Sequence, residues 1–341
     1  MLYDMLLKWA SVAALVLSLL LCVFVWACYA VQPDSCAGVT FWPVWFWAAV
    51  GVPFAALCLR RGKRSAAGVL LLWLLCMAVV AEEPRSIARF RSLPDAGWQA
   101  AREHGKAVRV VSLNCSGGNS EAASEVAAYH PDIVLFQESP DKGTVEAISR
   151  RLFGKDGGVF AGLDASVMVR GKLLATYGRA PGRIGSKRGA CFFTRVSARL
   201  LSGREIEVIS ARLAPPVFRT DPWRRGYWRD YADKRRSQRE QVREMVKGVE
   251  AIPESRPVIL GGDFNAPAGD AILRLLEPRL RDTFSEGGTG WGNTVVNELP
   301  ISRFDQIWAS QDFRVVSVVA RKTRHSDHRM VICDLLLRRR P

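Results

Sequence analysis

Charge is almost missing from residues 1–81 of this 341-residue chain, where only Asp4, Lys8, Asp34 and the cluster Arg60, Arg61, Lys63 and Arg64 carry any. Such a stretch is not an ordinary water-soluble domain, because a soluble fold must show polar groups to solvent. Cysteine is scarce beyond it: Cys22, Cys28, Cys36, Cys58 and Cys76 lie in the apolar part, leaving Cys115, Cys191 and Cys333. Three thiols in strand-like apolar settings make no disulfide framework and read as small buried side chains. There is no CxxC and no Cys/His spacing suited to structural zinc. Internal repeats and low-complexity tracts are absent too, which excludes a solenoid. Acidic residues are the minority, 33 against 48 Lys and Arg, and the net charge of +15 favours anionic partners. Charge alone does not separate nucleic acid from lipid headgroups.

What the N-terminal part has instead is apolar length, in runs 5–31, 36–59 and 66–81. The first two exceed the roughly 20 residues a spanning helix needs, and the third, about 16, sits just under the usual limit. The first run is longer than the apolar core of a cleaved secretory signal, and further apolar runs follow it. Residues 1–81 are therefore read as a membrane anchor of three transmembrane helices. The dense basic loop Arg60–Arg64 and Lys8 belong on the cytoplasmic side. Three crossings then make the chain a multi-pass protein of the cell (inner) membrane, with the rest extracytoplasmic. If the third run does not span, that part faces the cytoplasm.

Residues 82–107 form a polar linker with two prolines, whose Arg85, Arg89 and Arg91 suit either solvent or anionic headgroups. From residue 108 to 341 the pattern is that of a water-soluble domain. Short β-rich runs cover 108–114, 132–138, 165–170, 190–200, 205–213, 257–264, 304–310, 315–320 and 330–337. Helical patterns fit 120–129, 144–152, 222–247 and 270–276, with Asp221 and Pro222 as a helix start and Gly248 as a stop. Many strands with few helices predict an α+β domain of two packed sheets with helices outside.

Polar residues interrupt the apolar strands at their ends: Asn114 after "VVSL", Glu138 after "IVLFQ", Asp263 and Asn265 in "GGDFN", and Asp327 with His328 before "MVICDLLL". Loops on a rigid sheet can gather such ends. Carboxylates, amides and one imidazole suit a hard cation, Mg²⁺ or Mn²⁺, better than zinc. A phosphate ester needs a cation for the phosphoryl oxygens, a positioned water and relief of charge on the leaving oxygen.

In this order, "SLN", "PDIVLFQES", "ISARLAPP", "GGDFNAP", "RFDQIWAS" and "HSDHRMV" resemble the endonuclease/exonuclease/phosphatase (DNase I-like) superfamily over residues 108–338. The resemblance implies a four-layer α/β/β/α sandwich with the site at one end of the sheets. It implies Glu138 as the principal metal carboxylate, with Asn114 near the metal and Asp327 as a second acidic residue there. Asp263 would orient or deprotonate the attacking water, Asn265 would hold that water or a phosphate oxygen, and His328, oriented by Asp305, would stand by the scissile phosphate. His325 is then only a neighbour, and His104 and His130 have no role.

One position departs from the pattern: Arg212 stands where the family block has a histidine or tyrosine. Arginine is no base at ordinary pH, but its planar fork binds phosphate oxygens. The chain is thus either a phosphoesterase with Arg212 as substrate clamp, or a catalytically weakened relative that binds anionic ligands or membrane lipids. Phospholipid, nucleic acid and other organic phosphates all remain open as substrates, and no obligate protein partner is inferred. Trp223, Tyr227 and Tyr231 recur on one helical face. They predict a core-facing stripe, with a membrane-surface or single-strand-binding helix as alternatives. Arg183 and Lys187–Gly189 read as a basic loop.

Overall fold

The computed structural model describes residues 2–60, 63–89, 96–178 and 192–338, so Arg91, Arg183, Lys187–Gly189 and Cys191 lie outside the described residues. The chain divides into two units, Met1–Arg85 with Phe218–Asp233, and Ser86–Val217 with Lys234–Pro341.

In the first unit, charge-poor sequence becomes the helices α1 (Leu2–Val31), α2 (Ala37–Thr40), α3 (Val44–Leu57) and α4 (Lys63–Val80), followed by the short α5 (Glu83–Ala88). Among the described residues, two helices are long and apolar enough to cross a membrane, Tyr3–Val31 and Lys63–Val80. The middle run is bent by 75° between Asp34–Thr40 and Val44–Leu57, and the spans number three only if that pair counts as one. The third run, the shortest in the sequence, is one of the two that are long and apolar enough, and the break falls in the second. Its cause is Pro43, which caps α3 in extended backbone, disfavours helix at Trp42 and has no N–H to donate. The helices turn Leu6, Trp9, Leu20, Leu57 and Leu74 outward. Inside, Ser18 Oγ donates to Gly51 O at 2.8 Å and accepts from Trp73 Nε1 at 3.1 Å, so buried polar groups are satisfied across three helices.

The aromatic stripe divides within this unit. Tyr227 and Tyr231 are buried, Tyr227 Oη donating to Gly38 O at 2.7 Å and Tyr231 packing 5.1 Å from the Phe41 ring, whereas Trp223 is exposed. The helix α9 runs Arg225–Glu250 rather than 222–247. Asp221 is held by Arg219 instead of capping it, and Gly248 lies inside the last turn.

The second unit is built, among the described residues, from α6 (Ala96–Glu103), α7 (Ser120–Ser124), α8 (Lys142–Phe153), most of α9, α10 (Thr283–Gly287) and eleven strands. The strands are β1 (Ala107–Asn114), β2 (Ile133–Gln137), β3 (Gly157–Phe160), β4 (Ala165–Gly178), β5 (Phe192–Leu200), β6 (Glu205–Arg212), β7 (Val258–Asp263), β8 (Leu280–Asp282), β9 (Asp305–Ser310), β10 (Phe313–Arg321) and β11 (Met330–Leu337). They follow the order β10-β11-β1-β2-β4-β5-β6-β7-β9-β8, with β3 beside β4. β3 and β8, of four and three residues, are too short to show a period in the sequence. The 270–276 helix is only a 3-10 turn, Leu273–Leu276.

The fold curls at β4: residues 165–169 pair with β2, and residues from Gly171 on pair with β5. Alternation then gives each half-sheet an inner and an outer face. Val110, Leu135 and Val167 from one half meet Val196, Val208 and Ile259 from the other in a shared core. The outer faces pack Val134 and Phe136 against Val145 and Ile148 of α8, and Leu260 and Ile209 against Val242 and Met245 of α9. The result is the four-layer α/β/β/α sandwich.

Candidate active site

Strand register brings the site together before any side chain is considered. Arg212, the last residue of β6, is level with Asp263, the last of β7, and Asp263 is level with Asp305, the first of β9. Asn114 and Gln137 end β1 and β2 side by side, with Glu138 next in the chain. The double glycine of "GGDFN" permits this closeness: a Cβ on Gly262 would lie 1.8 Å from Ala211 O. Glu138 (φ 44°) and Asn265 (φ 49°) both take left-handed backbone, a costly conformation that collects at functional sites.

Asp263, Asp305 and His328 are buried, and one ligand atom from each lies within 4.8 Å of the others. His328 Nδ1 lies 2.8 Å from Asp305 Oδ2, which as donor to that carboxylate leaves Nε2 for a substrate. Burial pulls the His328 imidazole toward neutrality, but the charge and hydrogen bond of Asp305, then the charges of Asp263 and Asp327, outweigh it and push its pKa up to about 10. Burial raises Asp263 to about 6, reinforced by Asp305 and opposed by His328 and by hydrogen bonds from Asn265 and Asn114. Asp263 Oδ1 accepts from Asn265 N at 2.9 Å and Oδ2 from Asn114 Nδ2 at 3.0 Å. Asn265 Nδ2 is tied to Leu213 O at 2.8 Å.

Asn114 also reaches Glu138, its Nδ2 lying 3.3 Å from Oε1, so it links the buried cluster to the outer carboxylate. Glu138 Oε2 accepts from Gly117 N at 2.5 Å, and Oε1 accepts from Arg212 Nη2 at 2.6 Å. Arg212 Nη1 lies 3.2 Å from Asp164 Oδ2, while its Nε is buried with no partner. Asp327 is exposed and stands outside the compact Asp263–Asp305–His328 group. His325 turns to Glu125, 3.1 Å from Nδ1, consistent with its having no part here.

Three contributors escaped the sequence reading. Asp164, in a loop with no periodic signal, is the second carboxylate on Arg212. Ser326 Oγ donates to Asn114 O at 2.7 Å and accepts from His328 N at 3.0 Å, fastening "HSDH" to the end of β1. Lys234 is half-buried with no carboxylate partner among the described residues. Burial, then the charge of Arg212, lowers its pKa to about 8. In the sequence it was one cation in a basic run.

The donor set fits a hard cation. Its atoms are carboxylate and amide oxygens with one imidazole, and Asp305 Oδ1 is buried with no donor among the described residues, an arrangement that is costly unless a cation or water meets it.

The mixed α/β sandwich carries a buried Asp/Asp/His cluster at its strand ends. Residues 111–328 match the Endonuclease/Exonuclease/phosphatase family, and the chain belongs to that family, whose members hydrolyse phosphoesters. An Endonuclease/Exonuclease/phosphatase family protein of Bacteroides thetaiotaomicron shares the fold at 13% identity and TM-score 0.55, covering 68% of this chain and 95% of that one. The mannosyl-6-phosphatase of the same organism shares it at 15% identity and TM-score 0.52, covering 67% and 100%. The TDP2 of D. rerio, humanized by 14 mutations, does so at 17% identity and TM-score 0.51, covering 67% and 99%. Among curated proteins, no sequence matches the chain significantly.

Proposed function

We propose that the chain is a membrane-anchored, divalent-metal-dependent phosphoesterase that hydrolyses a phosphodiester or phosphomonoester by metal-assisted water attack. The observation that carries this reading is the buried His328–Asp305 pair at 2.8 Å with Asp263 beside it. Glu138 with Asn114, and Asp327 from the open side, would hold Mg²⁺ or Mn²⁺. That ion would neutralise charge on the phosphoryl oxygens and polarise the phosphorus for attack. Asp263 orients the attacking water and draws its proton, and its raised pKa suits a base. The Asn265 amide holds that water or a phosphate oxygen. His328, protonated and fixed by Asp305, stabilises the developing charge or supplies a proton to the leaving oxygen. Arg212 binds phosphate oxygens through its fork, and Lys234, a cation with no carboxylate partner among the described residues, suits the same anionic substrate.

The anchor favours a substrate at a membrane surface, a phospholipid headgroup before nucleic acid or another organic phosphate. Lys8 and the loop Arg60–Arg64 can share the cytoplasmic side only if the bent pair counts as one crossing, which puts the catalytic unit outside. A reporter fused after Pro341 should be active on the extracytoplasmic side, and activity on the cytoplasmic side would reverse this topology.

The test of function is the full-length chain in detergent, assayed with Mg²⁺ or Mn²⁺ on phospholipid, nucleic-acid and small phosphoester panels. Metal-dependent release of phosphate or of a phosphorylated fragment, lost in Asp263→Asn and His328→Ala, supports the assignment. Activity surviving both changes would sink it. No hydrolysis on any panel would favour the weakened, ligand-binding relative.

A further inference from the structure

Glu138 is already occupied. A carboxylate oxygen has two lone pairs, and Oε1 spends them on Arg212 Nη2 at 2.6 Å and Asn114 Nδ2 at 3.3 Å. Oε2 takes Gly117 N at 2.5 Å and keeps one free direction. The group filling Glu138 is a permanent cation, since guanidinium does not deprotonate in proteins. A histidine or tyrosine at this position would bring no such fixed charge. Arg212 has a second tether as well, Nη1 lying 3.3 Å and 3.2 Å from Asp164 Oδ1 and Oδ2, so it can leave Glu138 without leaving the site.

A cation taking the free direction of Oε2 would lie a few ångströms from the Arg212 guanidinium on Oε1, and like charges that close repel strongly in a half-buried setting. We propose that Arg212 competes with the divalent cation for Glu138: in the metal-free protein its guanidinium satisfies the carboxylate, and in the metal-loaded protein it stays on Asp164 and turns its freed N–H groups to the substrate phosphate. Arg212 therefore weakens metal binding while strengthening phosphate binding. This rests on the reading of Glu138 as a metal ligand.

The experiment measures Mn²⁺ affinity by calorimetry on chelator-stripped, full-length protein in detergent, for wild type, Arg212→Met, Arg212→Gln, Arg212→Lys and Glu138→Gln. The neutral Arg212→Met should bind Mn²⁺ about tenfold tighter or more, and Arg212→Lys, which keeps the charge, within about threefold of wild type. Inorganic phosphate binding to the Mn²⁺-loaded protein should move the other way, weakening about tenfold in Arg212→Met. Arg212→Gln decides the question if Arg212→Met does not fold, since it keeps a donor to Glu138 without the charge. Mn²⁺ binding that is unchanged or weaker in the neutral variants, while Glu138→Gln weakens it, would overturn the competition and leave Glu138 as a ligand. Glu138→Gln binding Mn²⁺ as tightly as wild type would remove the ligand reading itself, and the competition with it.

Discussion

The two halves of the site are held by different means. Asp263, Asp305 and His328 are buried and placed by strand register, Asp263 and Asp305 facing each other across β7 and β9, with His328 fastened through Ser326. Glu138, Arg212 and Asp164 lie at strand ends or in loops, with side chains 25%, 18% and 19% exposed, and are held by ion pairs. Backbone pairing cannot exchange partners without unfolding, whereas a half-exposed ion pair can. The buried half is thus suited to chemistry that needs fixed geometry, and the open half to ligands that come and go.

The largest effect that would separate the halves is on turnover. Asp263→Asn and His328→Ala should each lower kcat about a thousandfold or more, because each removes a positioned acid–base or charge-stabilising group. Asp305→Asn should cost about a hundredfold in kcat with little change in KM, since it disturbs the orientation of His328 rather than binding. Equal losses in kcat and KM there would contradict the positioning role.

That contrast also explains what the sequence could reveal. Asn114 and Asp263 were legible because β-branched runs ended abruptly in them, and His328 because it stands just before such a run, whereas Asp305, which opens β9, came only with the family resemblance. The ends had to be buried together for chemistry, and a polar residue closing an apolar run signals that. Arg212 was visible as a departure from the family block, but its partner was not, because Asp164 sits in a turn where any aspartate fits. The bend before α3 was hidden inside an apolar run, because apolar length ignores what Pro43 does to a helix. The start of α9 shifted because Asp221, a good cap by type, was taken by Arg219 through a salt bridge no periodicity encodes.

A middle-sized effect concerns pH in the metal-free protein. His328 rises from 6.5 to about 10 on folding, so its stabilisation is full below about 6.5 and is lost as pH climbs through about 10. Asp263 rises from 3.8 to about 6, so the fold prefers it protonated and stability also falls as pH passes through that interval. Lys234, lowered to about 8, gains stability with pH over the upper window in any variant, so the comparison is between proteins: from pH 7 to 10 the melting temperature of chelator-treated wild type should drop relative to that of His328→Ala. A difference between the two that stays constant over that range would contradict the buried pair.

The smallest effect is Ser326→Ala, which removes one buried hydroxyl and its two hydrogen bonds. It should lower stability by about 1–2 kcal/mol in denaturant titration and slow turnover only several-fold. A loss as large as that of His328→Ala would mean that the loop, rather than the strand register, sets the geometry of the buried half.

The central claim is that Asp263 and His328 act on one reaction as a unit, and the combined variant tests it most directly. Residues acting as a unit lose their joint contribution once, so Asp263→Asn/His328→Ala should cost about as much in kcat/KM as the worse single change. Losses that multiply in full, with residual metal-dependent turnover in each single variant, would show that the two side chains act independently and contradict the account.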